Sequence, residues 1–239
     1  MSASANPLTQ LRSFYASSIG KKIVIALTGV AILGFLPAHA IGNLLVFSGA
    51  DALNEYALFL REVGHGAVLW LFRIGLLAAF VIHIVATIQL TRQNRAARGA
   101  KYAMKTSMAS SAGSKTMIVS GLIILSFVVY HILHYTVRVW HGFDSAAYET
   151  TLPDGTHVHD VYKMVIDGFS FIPATLFYIV GISLLCLHLS HGVASVFQTL
   201  GLRSDRSKFG VQIFGKAYAF IIWAMFASVP LAVMFGLVK

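Results

Sequence analysis

The chain contains little charge and almost no cysteine. Only 11% of its 239 residues are Asp, Glu, Lys or Arg, whereas 57% are hydrophobic. This balance excludes an ordinary soluble domain and indicates a polytopic membrane protein. The single cysteine, Cys186, lies in an apolar run, so neither a disulfide framework nor a cysteine-ligated cluster can form within the chain.

Five apolar runs are long enough to cross a bilayer as helices. We find no internal repeat and no separate soluble segment, so residues 1–239 are predicted to form a single all-α membrane domain. Four of its helices are expected to make a bundle that binds metal centres. The predicted helices cover residues 23–47, 67–90, 117–139, 169–197 and 211–238.

Charge is divided unevenly between the two ends of these helices. Thirteen of the 18 Lys and Arg residues lie in the N-terminal segment and in the second-to-third and fourth-to-fifth connections. Eight of the nine Asp and Glu residues lie at the opposite end. The positive-inside rule therefore predicts a cytoplasmic N-terminus and an outer C-terminus. The net charge of +9 is thus a topology signal, and nucleic acid is not an expected partner.

Four of the five runs carry histidine, which is costly inside a bilayer and therefore indicates function. Counted from the basic end of each helix, His39 and His131 lie roughly 25 Å along the helix, and His83 and His188 roughly 15 Å. The histidines thus form an outer and an inner pair, on levels about 10 Å apart. Two stacked haems, each held between two helices, fit this pattern. Two histidines per iron leave no open position, which favours electron transfer.

Spacing alone leaves several alternatives open. His134 and His191 lie on nearly the same helix faces as His131 and His188, so either member of each pair can bind the metal. Imidazole also binds zinc and copper, and an intramembrane histidine can simply link helices by a hydrogen bond. In a ligand, the second ring nitrogen is predicted to donate to a backbone carbonyl of the preceding turn or to water.

The remaining segments give weaker signals. Gly34, Ala38 and Gly42 form a small-residue ridge, which suits either close helix packing or a flat macrocycle. Residues 48–66 are predicted to form a short interfacial helix and a loop, and residues 91–114 a basic solvated loop. In the second outer connection, His157-Val158-His159 has no nearby cysteine, so a metal site is not expected there.

A set of short motifs, on the first four predicted helices and in the first outer connection, is similar to the motifs of one family. They are Ser18–Lys22, Ala26–Gly29, His39–Leu44, Asn54–Leu60, Val81–His83, Val129–His131 and Cys186–Gly192. In combination they resemble the dihaem cytochrome b membrane subunit, of b558 type, of succinate dehydrogenase and fumarate reductase.

The resemblance implies one haem b between His39 and His131 and a second between His83 and His188, and so prefers the first histidine of each neighbouring pair. The implied partners are a flavoprotein subunit and an iron–sulfur subunit, docked on the cytoplasmic face of the cell inner membrane. This chain would anchor them and pass electrons to quinone, expected to be menaquinone rather than ubiquinone. Succinate chemistry would lie in a partner subunit.

Quinone chemistry needs a proton acceptor near a haem at a membrane surface. The outer candidates are Tyr56, Arg61, Glu62 and His65, with a solvated loop as the alternative. Further candidates for the haem pockets are Thr28, Arg92, His134 and His191, the first two as partners of the propionates at the inner end. Thr28 lies 11 residues before His39, on a similar helix face.

Two other functions remain open at this point. One is a dihaem cytochrome b that anchors a different dehydrogenase, such as a hydrogenase or a formate enzyme. The other is a haem-free helical transporter or structural bundle, in which histidines serve as polar links between helices.

Overall fold

The computed structural model describes residues 6–97 and 112–239, including their side chains except for those of residues 112–116. The fold is 82% helical. Its helices are α1 (Pro7–Ala16), α2 (Ser18–Leu44), α3 (Ala50–Glu62), α4 (Ala67–Ala96), α5 (Ala112–His131), α6 (Val161–Ser170), α7 (Ile172–Thr199) and α8 (Lys208–Met234). A two-stranded hairpin, β1 (Glu149–Thr151) and β2 (His157–His159), precedes α6.

Five helices, α2, α4, α5, α7 and α8, are long and apolar enough to cross a membrane. They correspond one by one to the five predicted spans and are consistent with a multi-pass membrane protein. The side of the bundle where the helix ends carry most of the lysine and arginine is called the basic end below. The opposite side is called the acidic end. Short 3₁₀ turns follow α2 and α3 at the acidic end, over Leu45–Ser48 and Val63–Gly66.

The start of α2 is fixed by contacts with α1. The Ser17 hydroxyl accepts a hydrogen bond from the Gly20 amide at 2.9 Å and caps α2. The Lys21 ammonium donates to the Tyr15 and Ala16 carbonyls at 3.0 and 2.8 Å, which satisfies the C-terminal end of α1. The exposed apolar side chains here suit a segment at a membrane surface; they include Leu11, Phe14 and Ile19.

The segment 91–114, predicted to be a solvated loop, is helical at both of its ends. Helix α4 continues to Ala96, and α5 already begins at Ala112, so the prediction is wrong at both of its ends. Its middle, residues 98–111, lies outside the described residues. Helix α8 also begins earlier than predicted and ends at Met234, because the chain turns at Gly236, where φ is +67°.

The fourth predicted span, 169–197, is wrong at its start because the helix is interrupted at Phe171. This residue is extended, with φ −78° and ψ 97°, and separates α6 from α7. Pro173 in the first turn of α7 has no N–H to donate to the Phe169 carbonyl, and its ring would clash with that carbonyl in a continuous helix. The Thr175 hydroxyl donates to the Phe169 carbonyl at 2.6 Å and bridges the break.

The third predicted span, 117–139, contains an irregular stretch. After α5 ends at His131, residues Ile132–Val137 form a π-helical turn, and Arg138 closes it with φ +64°. A π-turn admits an extra residue into the helix and often occurs at functional sites. It changes the direction of the side chains beyond His131, which helical periodicity does not predict.

The first outer connection contains the helix that the sequence predicted, α3. Asn54 fixes it to the start of α6, because its amide donates to Asp160 Oδ1 at 3.1 Å and its Oδ1 accepts from the Tyr162 amide at 3.0 Å. Asp160 in turn caps α6 through the Lys163 amide at 2.9 Å. The acidic end is therefore covered by a small ordered layer of α3, the hairpin and α6.

Packing among the long helices is uneven. Helix α2 packs against α4, α7 and α8, and α7 packs against α5 and α8. Within α4, only Ala86 is buried. In the described part of the chain, neither α2 with α5 nor α4 with α7 belongs to the closely packed pairs. The core therefore lies around α2, α7 and α8, while α4 and α5 flank it.

Candidate metal centres

The outer pair, His39 on α2 and His131 on α5, is brought together by the fold. The two ring centroids lie 5.8 Å apart, with 71° between the ring planes. A metal–imidazole bond is about 2 Å long, so two imidazoles on opposite sides of one metal place their centroids roughly 6 Å apart. One metal can therefore bridge these two rings.

Aromatic contacts and one hydroxyl support the outer pair. His39 stacks on Phe35 with centroids 5.1 Å apart and contacts Phe226 of α8 at 5.6 Å. His131 Nδ1 lies 3.3 Å from the Tyr178 hydroxyl of α7. In the described residues no hydrogen bond holds His39, so ring packing alone orients it.

The inner pair, His83 on α4 and His188 on α7, is supported by polar groups of other helices. His83 Nδ1 lies 3.1 Å from the Ile25 carbonyl and 3.1 Å from the Thr28 hydroxyl, both on α2. His188 Nδ1 lies 3.1 Å from the Ser120 hydroxyl on α5. The two rings are close enough to interact electrostatically. With Nδ1 engaged on both rings, Nε2 is the nitrogen that remains for a metal.

Glycine backbone lies beside each ring of the inner pair. A Cβ atom at Gly29 of α2 would lie 3.6 Å from His83 Cε1, and a Cβ atom at Gly121 of α5 would lie 3.7 Å from His188 Cε1. Glycine at these positions therefore lets a neighbouring helix backbone come close to the imidazole edge.

The small-residue ridge of α2 serves two different purposes. At Gly42 a Cβ atom would lie 2.6 Å from Tyr56 Cε1, so this glycine is needed for close packing against α3. At Gly34, five residues before His39, a Cβ atom would meet nothing within 4 Å. Close packing therefore accounts for Gly42 and not for Gly34, and room for a macrocycle stays a prediction.

Both histidine pairs lie across helices that do not pack closely, α2 with α5 and α4 with α7. All four imidazoles are only partly buried, although their helices are long and apolar enough to cross a membrane. A flat prosthetic group between the two helices of each pair fits this arrangement. Among the described residues, no hydrogen bond joins the two rings of either pair. His83, His131 and His188 do link helices through hydrogen bonds to groups of α2, α7 and α5.

The two neighbouring histidines have different surroundings from the four paired ones. His134 is completely buried, and its Nε2 is enclosed without a hydrogen-bond partner in the described part of the protein. A macrocycle cannot reach that nitrogen without displacing the surrounding rings. His191 is exposed on α7. The geometry therefore favours His131 and His188 as the metal-facing members.

The partners of Nδ1 differ from the prediction. His83 does face a backbone carbonyl, but that carbonyl is Ile25 on the neighbouring helix and not one in the preceding turn. His131 and His188 face side-chain hydroxyls. For these three rings, the carbonyl of the preceding turn is not the partner of Nδ1, because a carbonyl or hydroxyl group of another helix lies within hydrogen-bond distance. The alternative partner, water, stays a prediction.

Ser120 and Tyr178 are the supporting residues that sequence reasoning missed. Thr28 precedes His39 by 11 residues, and Ser120 precedes His131 by the same number. Eleven residues are about three helical turns, or about 16 Å of helix. Helices α2 and α5 therefore each carry an outer histidine and, on the same face and nearer the basic end, the hydroxyl that supports an inner histidine. From this repeated spacing, Ser120 could have been predicted.

The weaker haem-pocket candidates and the quinone candidates lie in different parts of the structure. Thr28 lies against the His83 ring, and Arg92 is exposed near the basic end of α4. Tyr56 packs over Gly42. Glu62 and His65 are exposed, and His65 adopts φ +53° in the turn before α4. The structure does not gather the four quinone candidates into one cluster.

Arg61 lines a separate polar cavity of about 350 Å³ at the acidic end. Arg138 Nη1 donates to His159 Nε2 at 3.1 Å on the wall of this cavity. Burial lowers the pKa of His159, and the positive charges of Arg138 and Arg61 lower it further. His159 is thus kept neutral and accepts the guanidinium hydrogen bond.

Within residues 6–97 and 112–239, no group of three or more His, Cys, Asp or Glu side chains is arranged to hold a metal ion. A metal in this part of the chain would therefore be held by paired imidazoles, which matches hexacoordinate haem iron better than a tetrahedral zinc site.

Comparison with protein-family models, with curated proteins and with solved structures gave no match. The interpretation of the histidine pairs accordingly depends on the geometry of this chain and on its motifs.

Proposed function

We propose that the chain is the dihaem cytochrome b membrane anchor of a succinate:quinone oxidoreductase. The observation that carries the proposal is the arrangement of four histidines as two pairs on four helices, with the outer rings 5.8 Å apart and both inner rings held through Nδ1. His39 and His131 would hold the outer haem b, and His83 and His188 the inner one.

The side chains of this protein suit a low-spin, electron-transferring haem. The four histidines would give each iron two neutral imidazoles, which would leave no position for oxygen. When bound, the haem supplies one-electron redox chemistry, and the protein sets the orientation and polarity of the ligands. Thr28 and Ser120 fix the inner rings, whereas Phe35, Phe226 and Tyr178 fix the outer ones.

The two haem levels would form a path across the bilayer. The Thr28-to-His39 interval on α2 and the Ser120-to-His131 interval on α5 both correspond to about 16 Å of helix. This interval joins a supporting hydroxyl to an outer histidine, and it is longer than the separation of about 10 Å that counting from the helix ends predicts for the two metal levels. Electrons would enter at the inner level and move to the outer one, or travel in the opposite direction.

The charge distribution supports the proposed orientation and partners. The basic end would face the cytoplasm of a bacterial inner membrane and dock a flavoprotein and an iron–sulfur subunit. Its described basic side chains include Lys22, Arg92, Arg95, Arg203 and Arg206. Menaquinone would react near a membrane surface, with Tyr56, Arg61, Glu62 and His65 as the candidates at the acidic end.

The experiment is purification of the full-length chain from its native membrane in mild detergent, followed by identification of the co-purifying subunits and addition of succinate. The proposal predicts a flavoprotein and an iron–sulfur protein, and succinate should reduce the haems. Haem reduction by hydrogen or formate with a different partner would favour another dehydrogenase. A preparation without haem would favour the helical bundle with polar histidine links.

A further inference from the structure

Tyr178 of α7 lies between two histidines at the acidic end of the bundle. Its side chain is only 4% exposed. Its hydroxyl oxygen is 3.3 Å from His131 Nδ1 and 3.2 Å from His134 Nδ1. One hydroxyl group therefore connects the proposed outer ligand with the buried histidine that does not face the metal.

The number of protons determines the direction of these two hydrogen bonds. A tyrosine hydroxyl has one hydrogen, so it can donate to only one of the two rings and must accept from the other. If His131 binds a metal through Nε2, its neutral ring carries a proton on Nδ1 and donates to Tyr178. Tyr178 must then donate to His134 Nδ1, and His134 carries its own proton on Nε2.

The surroundings of His134 agree with this order. Its Nε2 is a buried atom without a hydrogen-bond partner in the described residues. Tyr135 and Phe143 cover the faces of the imidazole, with centroids at 4.1 and 5.5 Å and interplanar angles of 32° and 26°. No acceptor or donor therefore competes at Nε2, and the proton on this nitrogen follows from the order of the two hydrogen bonds at Tyr178.

We infer that Tyr178 and His134 are positioning residues that fix the tautomer of His131 and tune the outer haem. This inference rests on the proposed function. His131 ends α5 and His134 lies in the π-turn Ile132–Val137 that follows, and both reach the same tyrosine. Among the described residues nothing equivalent supports the inner pair, where each histidine has its own hydroxyl.

The inference predicts the direction of a change in redox potential. A hydrogen bond from Nδ1–H to an oxygen makes an imidazole a stronger electron donor and stabilises the oxidised metal. The donation from Tyr178 to His134 polarises the hydroxyl and strengthens this effect. Removing the bridging oxygen should therefore raise the midpoint potential of the outer haem and leave that of the inner haem unchanged.

The test is a spectroscopic redox titration of the full-length, haem-loaded protein and of three variants. Tyr178→Phe keeps the ring and removes the bridging oxygen; we expect the preference of the outer site for ferric over ferrous iron to fall about tenfold, which is 59 mV for one electron. His134→Phe should shift the potential in the same direction by less. Tyr130→Phe is the matched control, because its hydroxyl bonds neither histidine among the described residues, and it should change nothing.

A measurement on the unmodified protein avoids dependence on the folding of the variants. With ¹⁵N-labelled histidine in the reduced, diamagnetic protein, His134 should show a protonated Nε2 and a bare Nδ1. The opposite tautomer would overturn the inference, and so would an unchanged outer potential in a Tyr178→Phe variant that retains both haems. A wild-type protein that binds no haem would overturn the proposed function and the inference together.

Discussion

The two histidine pairs are alike in their ligands and different in their supports. At the inner level, both Nδ1 atoms face small polar groups of neighbouring helices, namely the Ile25 carbonyl and the Thr28 and Ser120 hydroxyls. At the outer level, His39 is held by aromatic stacking and His131 by a tyrosine that it shares with His134.

If both pairs hold haem, the difference in supports predicts different electronic properties for two sites with the same ligands. The inner supports are independent hydrogen bonds, so each can be removed without disturbing the other. The outer supports form one connected cluster of rings that continues through Tyr135 and Phe143 to the layer at the acidic end. Changes in that layer can therefore reach the outer level, whereas they should not reach the inner one.

The largest expected effect comes from removing the ligands one at a time. His83→Ala or His188→Ala should abolish the inner haem and keep the outer, whereas His39→Ala or His131→Ala should do the reverse. The measurement is haem content by pyridine haemochrome, together with low-temperature spectra that resolve the two haems. Loss of the same haem from His39→Ala and His83→Ala would contradict the pairing.

The second-largest effect is expected from filling the space between Gly29 and the His83 ring at the inner level. Gly29→Leu should sharply reduce inner haem content, because a Cβ atom there already lies 3.6 Å from His83 Cε1 and 3.8 Å from Val196 Cγ2. A larger side chain would enter the space between α2, α4 and α7. Gly75→Leu, on α4 with nothing within 4 Å, is the control. Equal haem loss in both variants would show general destabilisation.

A smaller effect is expected from removing one of the hydrogen bonds that support the inner histidines. Ser120→Ala should weaken retention of the inner haem by about 10- to 100-fold, because the partner of a ligating imidazole contributes that much to metal affinity. The measurement is the rate of haem transfer from the protein to an excess of apomyoglobin. Ser126→Ala is the control, since Ser126 is exposed and bonds only the Leu122 carbonyl of its own helix. An altered outer haem in Ser120→Ala would contradict the independence of the two levels.

The smallest effect concerns the layer at the acidic end. Burial and the neighbouring Arg138 and Arg61 lower the pKa of His159, so the unfolded chain takes up a proton on this residue more readily than the folded protein does. Below the ordinary histidine pKa of about 6.5, this difference should reduce stability progressively as the pH falls. Thermal unfolding between about pH 5 and 8 should decline less steeply in His159→Gln. An identical decline in wild type and variant would contradict the assignment.

Hydrophobic patterning predicts the five long helices, because apolar runs of this length have one stable solution in a bilayer. It does not predict the break at Phe171 or the π-turn after His131. Those features depend on Pro173 and on how the chain packs at the acidic end, and neither has a periodic signature. The predicted span 169–197 therefore begins too early.

The candidate site, like the fold, could be predicted from the sequence only in part. Counting residues along α2, α4, α5 and α7 places His39 with His131 and His83 with His188, because depth in a straight helix is proportional to residue number. Depth says nothing about which face of a helix meets which neighbour. Tyr178 was therefore missed, and the choice between His131 and His134 needed the three-dimensional packing around the π-turn.

The most direct measurement is a dithionite-reduced minus oxidised spectrum of the purified full-length protein, with haem quantified per chain. The account predicts two b-type haems per chain, with two distinguishable midpoint potentials. One haem per chain would contradict the proposal that both histidine pairs hold iron, and no haem would contradict the metal centres altogether.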